Sequence, residues 1–160
     1  MCWVCVRRIG LAAACGVALL AGCSGEPASP EQRIHERIGA LVQAVEAGSV
    51  GQAAESLHPQ YRDERHADNT AAMRSLRAYL ARHRGIHLFT LVRELAPASD
   101  GSAAKAVVYV AMTGVPVDSL QTLISLKADL YRFDIELLPM EDGEWRIAQA
   151  RWRRADPALL

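Results

Sequence analysis

Arg132, Asp134 and Glu136 alternate with apolar residues in one short stretch. In an extended chain they would share one face of a strand. Two carboxylates held that close could raise each other's pKa and produce a general base. The same pattern also describes a solvated outer face, with Arg132 in weak cross-strand ion pairs, and that reading is favoured. His58, His66, His83 and His87 are possible zinc ligands, but a zinc site needs several donors converging. His83 and His87 have the His-x-x-x-His spacing, yet Gly85 between them ends any helix. No metal and no other cofactor is therefore expected. Arg62, Arg65, Arg74, Arg77, Arg82 and Arg84 outnumber Asp63, Glu64 and Asp68 across 62–84. Such a patch could meet anionic lipid headgroups, though a solvated helix face explains it more simply. Tyr131, Phe133, Trp145 and Trp152 read as core, with an aromatic lining for an apolar ligand as the alternative. No Gly-rich phosphate loop or Gly-x-Ser-x-Gly is present, and no catalytic residue stands out.

Cysteine offers the remaining chemistry. Three of the four cysteines, with Arg7, Arg8 and no acid, lie in residues 1–22. Arg7-Arg8 precedes an apolar run from Ile9 to Leu20, broken only by Gly10 and Gly16. That run is shorter than the ~20 residues a spanning helix needs, and it fits the apolar region of an export signal. It closes on Leu20-Ala21-Gly22-Cys23, which resembles the bacterial lipobox. The resemblance implies cleavage between Gly22 and Cys23, lipid on the Cys23 thiol and acylation of the new amino terminus. Val6 and Ile9-Gly10 lack the rest of a twin-arginine signal, so general secretion is expected. Ser24, in place of Asp, resembles the pattern for onward sorting to the periplasmic face of the outer membrane in a Gram-negative cell.

Cys2, Cys5 and Cys15 would leave with the signal and Cys23 would carry lipid. No thiol then remains for a disulfide, a zinc site or a nucleophile. Two or more acyl chains give stable anchoring where one gives marginal binding. The tether Ser24–Ala28 spans roughly 20 Å at most, which keeps the folded part near the lipid. Export also separates the domain from nucleic acid, which is not expected as a partner.

The elements that must position these groups follow from the rest of the chain. Its 160 residues are 51% hydrophobic, with 18 basic and 18 acidic side chains, which excludes a disordered, collagen-like or strongly basic protein. The expected organisation is a signal over 1–22, the lipidated cysteine and tether over 23–29, and one domain over 30–156. Ser29, Pro30 and Gln32 form a helix-start signature, and Ile34, Ile38, Leu41, Val42 and Val45 make one apolar stripe that Gly48 stops. Ser49-Val50-Gly51-Gln52 repeats the capping pattern and opens a short helix through Leu57, broken by His58-Pro59. A third helix runs from Asp68 to Arg84, burying Met73, Leu76 and Leu80. Strands are expected over 86–95, 103–113, 129–137 and 145–152, with turns at 97–101 and 141–144. Residues 117–126 fit either a short helix capped by Asp118 or a strand. Three helices followed by about four antiparallel strands define an α+β fold with the helices on one side of a twisted sheet.

The chain over 30–154 resembles the nuclear transport factor 2-like (NTF2-like) superfamily, the cone-shaped α+β fold of ketosteroid isomerase, SnoaL-type cyclases and many non-catalytic domains. The resemblance rests on Ala47-Gly48-Ser49 after a long first helix and on Leu57-His58-Pro59-Gln60-Tyr61-Arg62-Asp63. It rests also on the closing hairpin, from Tyr131-Arg132-Phe133-Asp134 through Gly143-Glu144-Trp145-Arg146-Ile147 to Ala150-Arg151-Trp152. Enzymes of the family place an acid and proton donors inside the cone. No Asp or Tyr here aligns with those roles, so none is assigned. Together with the lipobox, the resemblance implies a membrane-anchored envelope lipoprotein whose domain binds a protein partner or a small apolar ligand, with a homodimer through the open sheet face as a further expectation. The alternative is an isomerase- or hydrolase-like enzyme using a carboxylate in the cone.

Overall fold

The computed structural model describes residues 28–156 apart from 84 and 127; Gly22, Cys23, the export signal, most of the tether and Arg84 lie outside the described residues. Ser29 opens helix α1 (Pro30–Glu46), its Oγ accepting from the Gln32 N–H at 3.2 Å. Ile34, Ile38 and Ala44 are buried along α1, and Gly48 closes it at a φ of 69°, a conformation that favours glycine. Helix α2 (Val50–Glu55) follows; Ser49 stands at its cap position, but its side chain makes no capping bond, so the second capping box does not form.

The next segment corrects the sequence reading. Residues 57–63 form a strand, β1 (Leu57–Asp63), not a break after a helix. β1 lies at a sheet edge, with Leu57 and Tyr61 buried, and Pro59 is tolerated there because an edge strand can spare an N–H. Asp68 caps α3 (Asn69–Arg82), accepting from the Ala71 N–H at 2.8 Å. Met73, Leu76 and Leu80 face the body of the domain but are only half-buried, and no residue of α3 is fully buried. Residues 117–126 contain helix α4 (Leu120–Ser125), capped by Ser119 and not Asp118.

Strands β2 (His87–Pro97), β3 (Ala104–Thr113), β4 (Leu130–Pro139) and β5 (Trp145–Ala155) form an antiparallel meander. β1 adds to β5 in parallel, giving the order β1-β5-β4-β3-β2. The α+β class holds, with four helices and five strands among the described residues in place of three and about four, and the sheet is mixed, not purely antiparallel.

Two register shifts decide which residues face inward. In β5, Gln149 pairs with Glu136 while Ile147 pairs with Leu137, so Ala148 is an extra residue. Strict alternation would place Trp145 and Trp152 on opposite faces; the shift puts both on the inner face. β2 has the same device: Val92 pairs with Val108 and Glu94 with Val107, leaving Arg93 extra. This is why residues 86–95 alternate so loosely in sequence.

The inner face packs under α1, with Ile34, Ile38, Val108, Ile135, Leu137, Trp145 and Ile147 in one core. The outer face is divided. At one end Leu123 of α4 packs on Ala111 and Leu130, beside Phe89 and Tyr109, while Met112, Val115, Ile124 and Leu126 are exposed nearby. The other end is open. The chain enters at that open end, where Arg33 Nη1 donates to the Gly143 carbonyl at 3.2 Å and Arg37 pairs with Glu144 beside the β4–β5 turn.

Candidate functional site

Between α1 and the inner face lies a cavity of about 210 Å³. Ile38, Leu41, Val42 and Val45 line it from the helix, and Val108, Val110, Phe133, Ile135, Ile147 and Ala150 line it from the sheet. These α1 residues recur at helical spacing and the strand residues share one pleat face, which is how the sequence builds one apolar wall against another. Thr90 and Tyr61 are the polar members of the lining; no carboxylate or histidine belongs to it. Of the four aromatic residues read as core, with a ligand lining as the alternative, Phe133 lines the cavity. Trp152, paired with Phe133 across the strands, stacks on it with ring centroids 5.8 Å apart and carries the Arg65 guanidinium 5.3 Å above its own ring. Trp145 is 3% exposed, in the core away from the cavity, and Tyr131 is half-buried in β4 outside it.

Tyr61 links the cavity wall to a polar network at the end of β1. Its hydroxyl donates to Asp63 Oδ2 at 2.7 Å. Asp63, whose side chain is 2% exposed, also accepts from the backbone N–H groups of Arg65 at 2.7 Å and His66 at 2.8 Å. His66 Nδ1 lies 2.9–3.0 Å from both Asp63 oxygens, and His66 Nε2 lies 2.9 Å from Ser75 Oγ on α3. Burial pushes the Asp63 carboxyl upward, but hydrogen bonds from His66, Tyr61 and the two backbone donors outweigh it and hold the group below its usual range. Burial first, then the bond to Asp63 and its negative charge, push the Tyr61 phenol well above its ordinary value. A neutral phenol and an ionised carboxylate are thus fixed together. Sequence reasoning did not single out Tyr61, Asp63 or Ser75 and weighed His66 only as a zinc ligand. The available signal was Asp63-x-x-His66 across a turn just before the α3 cap; Ser75 joins only because α3 folds back over that turn.

The open part of the outer face forms a trough of about 550 Å³ lined by Glu94, Lys105, Arg132, Asp134, Glu136 and Arg151, among others. Arg132 pairs with Asp134 on its own strand, at 2.7 and 3.0 Å, where cross-strand pairs were expected. That bond raises the Arg132 guanidinium further. The other three histidines weighed as zinc ligands stand apart: His58 Nδ1 accepts from the Gln60 N–H, His83 stacks on Tyr79 and His87 faces Glu46. Arg82 lies beside Met112 and Gly114, at the sheet end opposite the start of α1.

No protein-family model matches this chain, and no curated protein matches it. Solved structures do. A putative scytalone dehydratase from Novosphingobium aromaticivorans superposes with a TM-score of 0.59 at 9% identity, covering 78% of this chain and 83% of that one. ActVI-ORFA from Streptomyces coelicolor gives 0.56 at 10% identity, over 76% and 92% of the two chains. An NTF2-like protein of unknown function from Shewanella baltica gives 0.56 at 10% identity, over 78% and 92%. Identities this low speak for the fold alone. The described residues share the α+β fold of these solved structures, one of them an NTF2-like protein.

Proposed function

We propose that this chain is a lipid-anchored bacterial envelope protein whose NTF2-like domain binds a small apolar ligand or a protein partner, without chemistry in the cavity. The observation that carries the binding reading is the lining: Leu, Ile, Val and Phe side chains, with the Tyr61 hydroxyl already committed to Asp63. A cavity enzyme of this fold would need an acid or histidine facing the ligand within reach of a second polar group. Asp63, the carboxylate linked to the wall, is bonded on the far side of Tyr61. At about 210 Å³ the cavity is smaller than the ~300–1,000 Å³ of most ligand sites, which suits a compact apolar molecule or the end of an acyl chain.

The lipobox supports attachment through Cys23, with the outer membrane's periplasmic face as the destination in a Gram-negative cell. The mixed charges of the trough, Arg132 and Arg151 against Asp134 and Glu136, suit a partner protein or a second copy of this chain. Titration of the full-length protein with short fatty acids, read by tryptophan emission, tests the cavity, since Trp152 stacks on its wall residue Phe133. Saturable binding that Val108→Trp abolishes is expected. Binding unchanged by that substitution would place the ligand elsewhere.

A further inference from the structure

The junction of β1 and α3 holds a carboxylate, an imidazole and a hydroxyl in the order of a nucleophilic relay. Asp63 is nearly inaccessible and fixed by two backbone N–H groups and Tyr61, so it cannot swing away from His66. A carboxylate against Nδ1 keeps the ring proton on that nitrogen. His66 Nε2 then presents its lone pair to Ser75 Oγ at 2.9 Å, within the range for general-base activation of a hydroxyl. The His66 side chain is 20% exposed and Ser75 lies on the exposed face of α3, so an incoming molecule can reach the hydroxyl.

We propose that Ser75 is a base-activated nucleophile that accepts an acyl group from small activated carboxylic esters. Ser75 Oγ bonds to the ester carbonyl carbon while its proton passes to His66 Nε2. The bond from that carbon to the alkoxide then breaks, and the alkoxide leaves with the proton as an alcohol. Asp63 positions the imidazole through its contact with Nδ1. Ser75 stands inside a helix, where backbone N–H groups are spent on i−4 carbonyls and do not form an oxyanion hole. The relay therefore gives one acylation per chain and slow release, not rapid turnover.

A fluorophosphonate probe on the full-length protein tests this directly. The Ser75 Oγ–P bond forms, the P–F bond breaks, fluoride leaves, and the hydroxyl proton reaches solvent through His66. Intact mass should rise by one phosphonyl group, mapped to the Ser75 peptide, with Ser102, Ser119 and Ser125 as internal controls. Ser75→Ala, a change that suits an exposed helix position, should remove the adduct and leave circular dichroism unchanged. His66→Gln should slow labelling ~100-fold or more. p-Nitrophenyl acetate should give a burst of one equivalent in the native chain and none in Ser75→Ala. No adduct, an adduct on another serine, or a burst that survives Ser75→Ala would overturn the proposal. Ser75 does not line the apolar cavity, so its failure leaves the fatty-acid titration untouched.

Discussion

Trp145 and Asp63 show how unevenly single residues reveal their roles. Trp145 was legible as core from its type, and the structure buries it against Leu137 and Ile147. Trp145→Ala should cost ~3–5 kcal/mol, read as a shift in the urea midpoint, and an unmoved midpoint would put the ring at the surface. Asp63 was not legible: its partners Tyr61, Arg65 and His66 lie within three residues of it, but they converge only because 57–63 is a strand followed by a turn, where the sequence reads as a break after a helix. Its carboxyl sits below the usual range in the folded chain and returns to ~3.9 on unfolding. The stability it provides is therefore complete above ~pH 4 and is lost as pH falls through the folded value. Urea midpoints measured from pH 6 to pH 2.5 should decline at the acid end, and Asp63→Asn should flatten that decline. The buried phenol of Tyr61 works in the opposite sense, with its contribution lost as pH rises beyond ~10.

Helices were readable where one or two residues decide them. Ser29 and Asp68 cap, Gly48 and Gly143 turn the chain at positive φ, and each acts within its own neighbourhood. β1 was unreadable because its sequence, Leu57-His58-Pro59-Gln60-Tyr61-Arg62-Asp63, has two buried residues four apart and becomes a strand only against β5. The extra residues Arg93 and Ala148 were hidden for the same reason, since a register shift exists only relative to a neighbouring strand. Deleting Ala148 should turn Trp145 and Ile147 toward solvent, or Ala150 and Trp152 if the slip runs the other way. Either outcome removes several kcal/mol from a fold of ~5–15 kcal/mol, so loss of cooperative thermal melting is expected. Deleting Ser99, exposed in the β2–β3 turn, should leave a cooperative melt. Equal effects from the two deletions would mean that Ala148 does not set the register.

At the scale of the whole protein, the α+β order was legible from the switch in apolar period, and the cavity was not, because it exists only between α1 and strands far along the chain. Anchoring is decided by experiment on one atom, the Cys23 sulfur. Cys23→Ser should move the protein out of the membrane fraction or leave it unprocessed, while the native form should carry acyl label; identical fractionation and labelling would exclude the lipid. Helix α1 begins beside Gly143, so the β4–β5 turn marks the end of the sheet from which the chain leads back toward Cys23. The ten residues of β4, at ~3.3 Å each, put Met112, Val115, Ile124 and Leu126 in a greasy crown roughly 30 Å from that turn. A leash at Cys23 and a visitor to that crown would thus take opposite ends of the sheet.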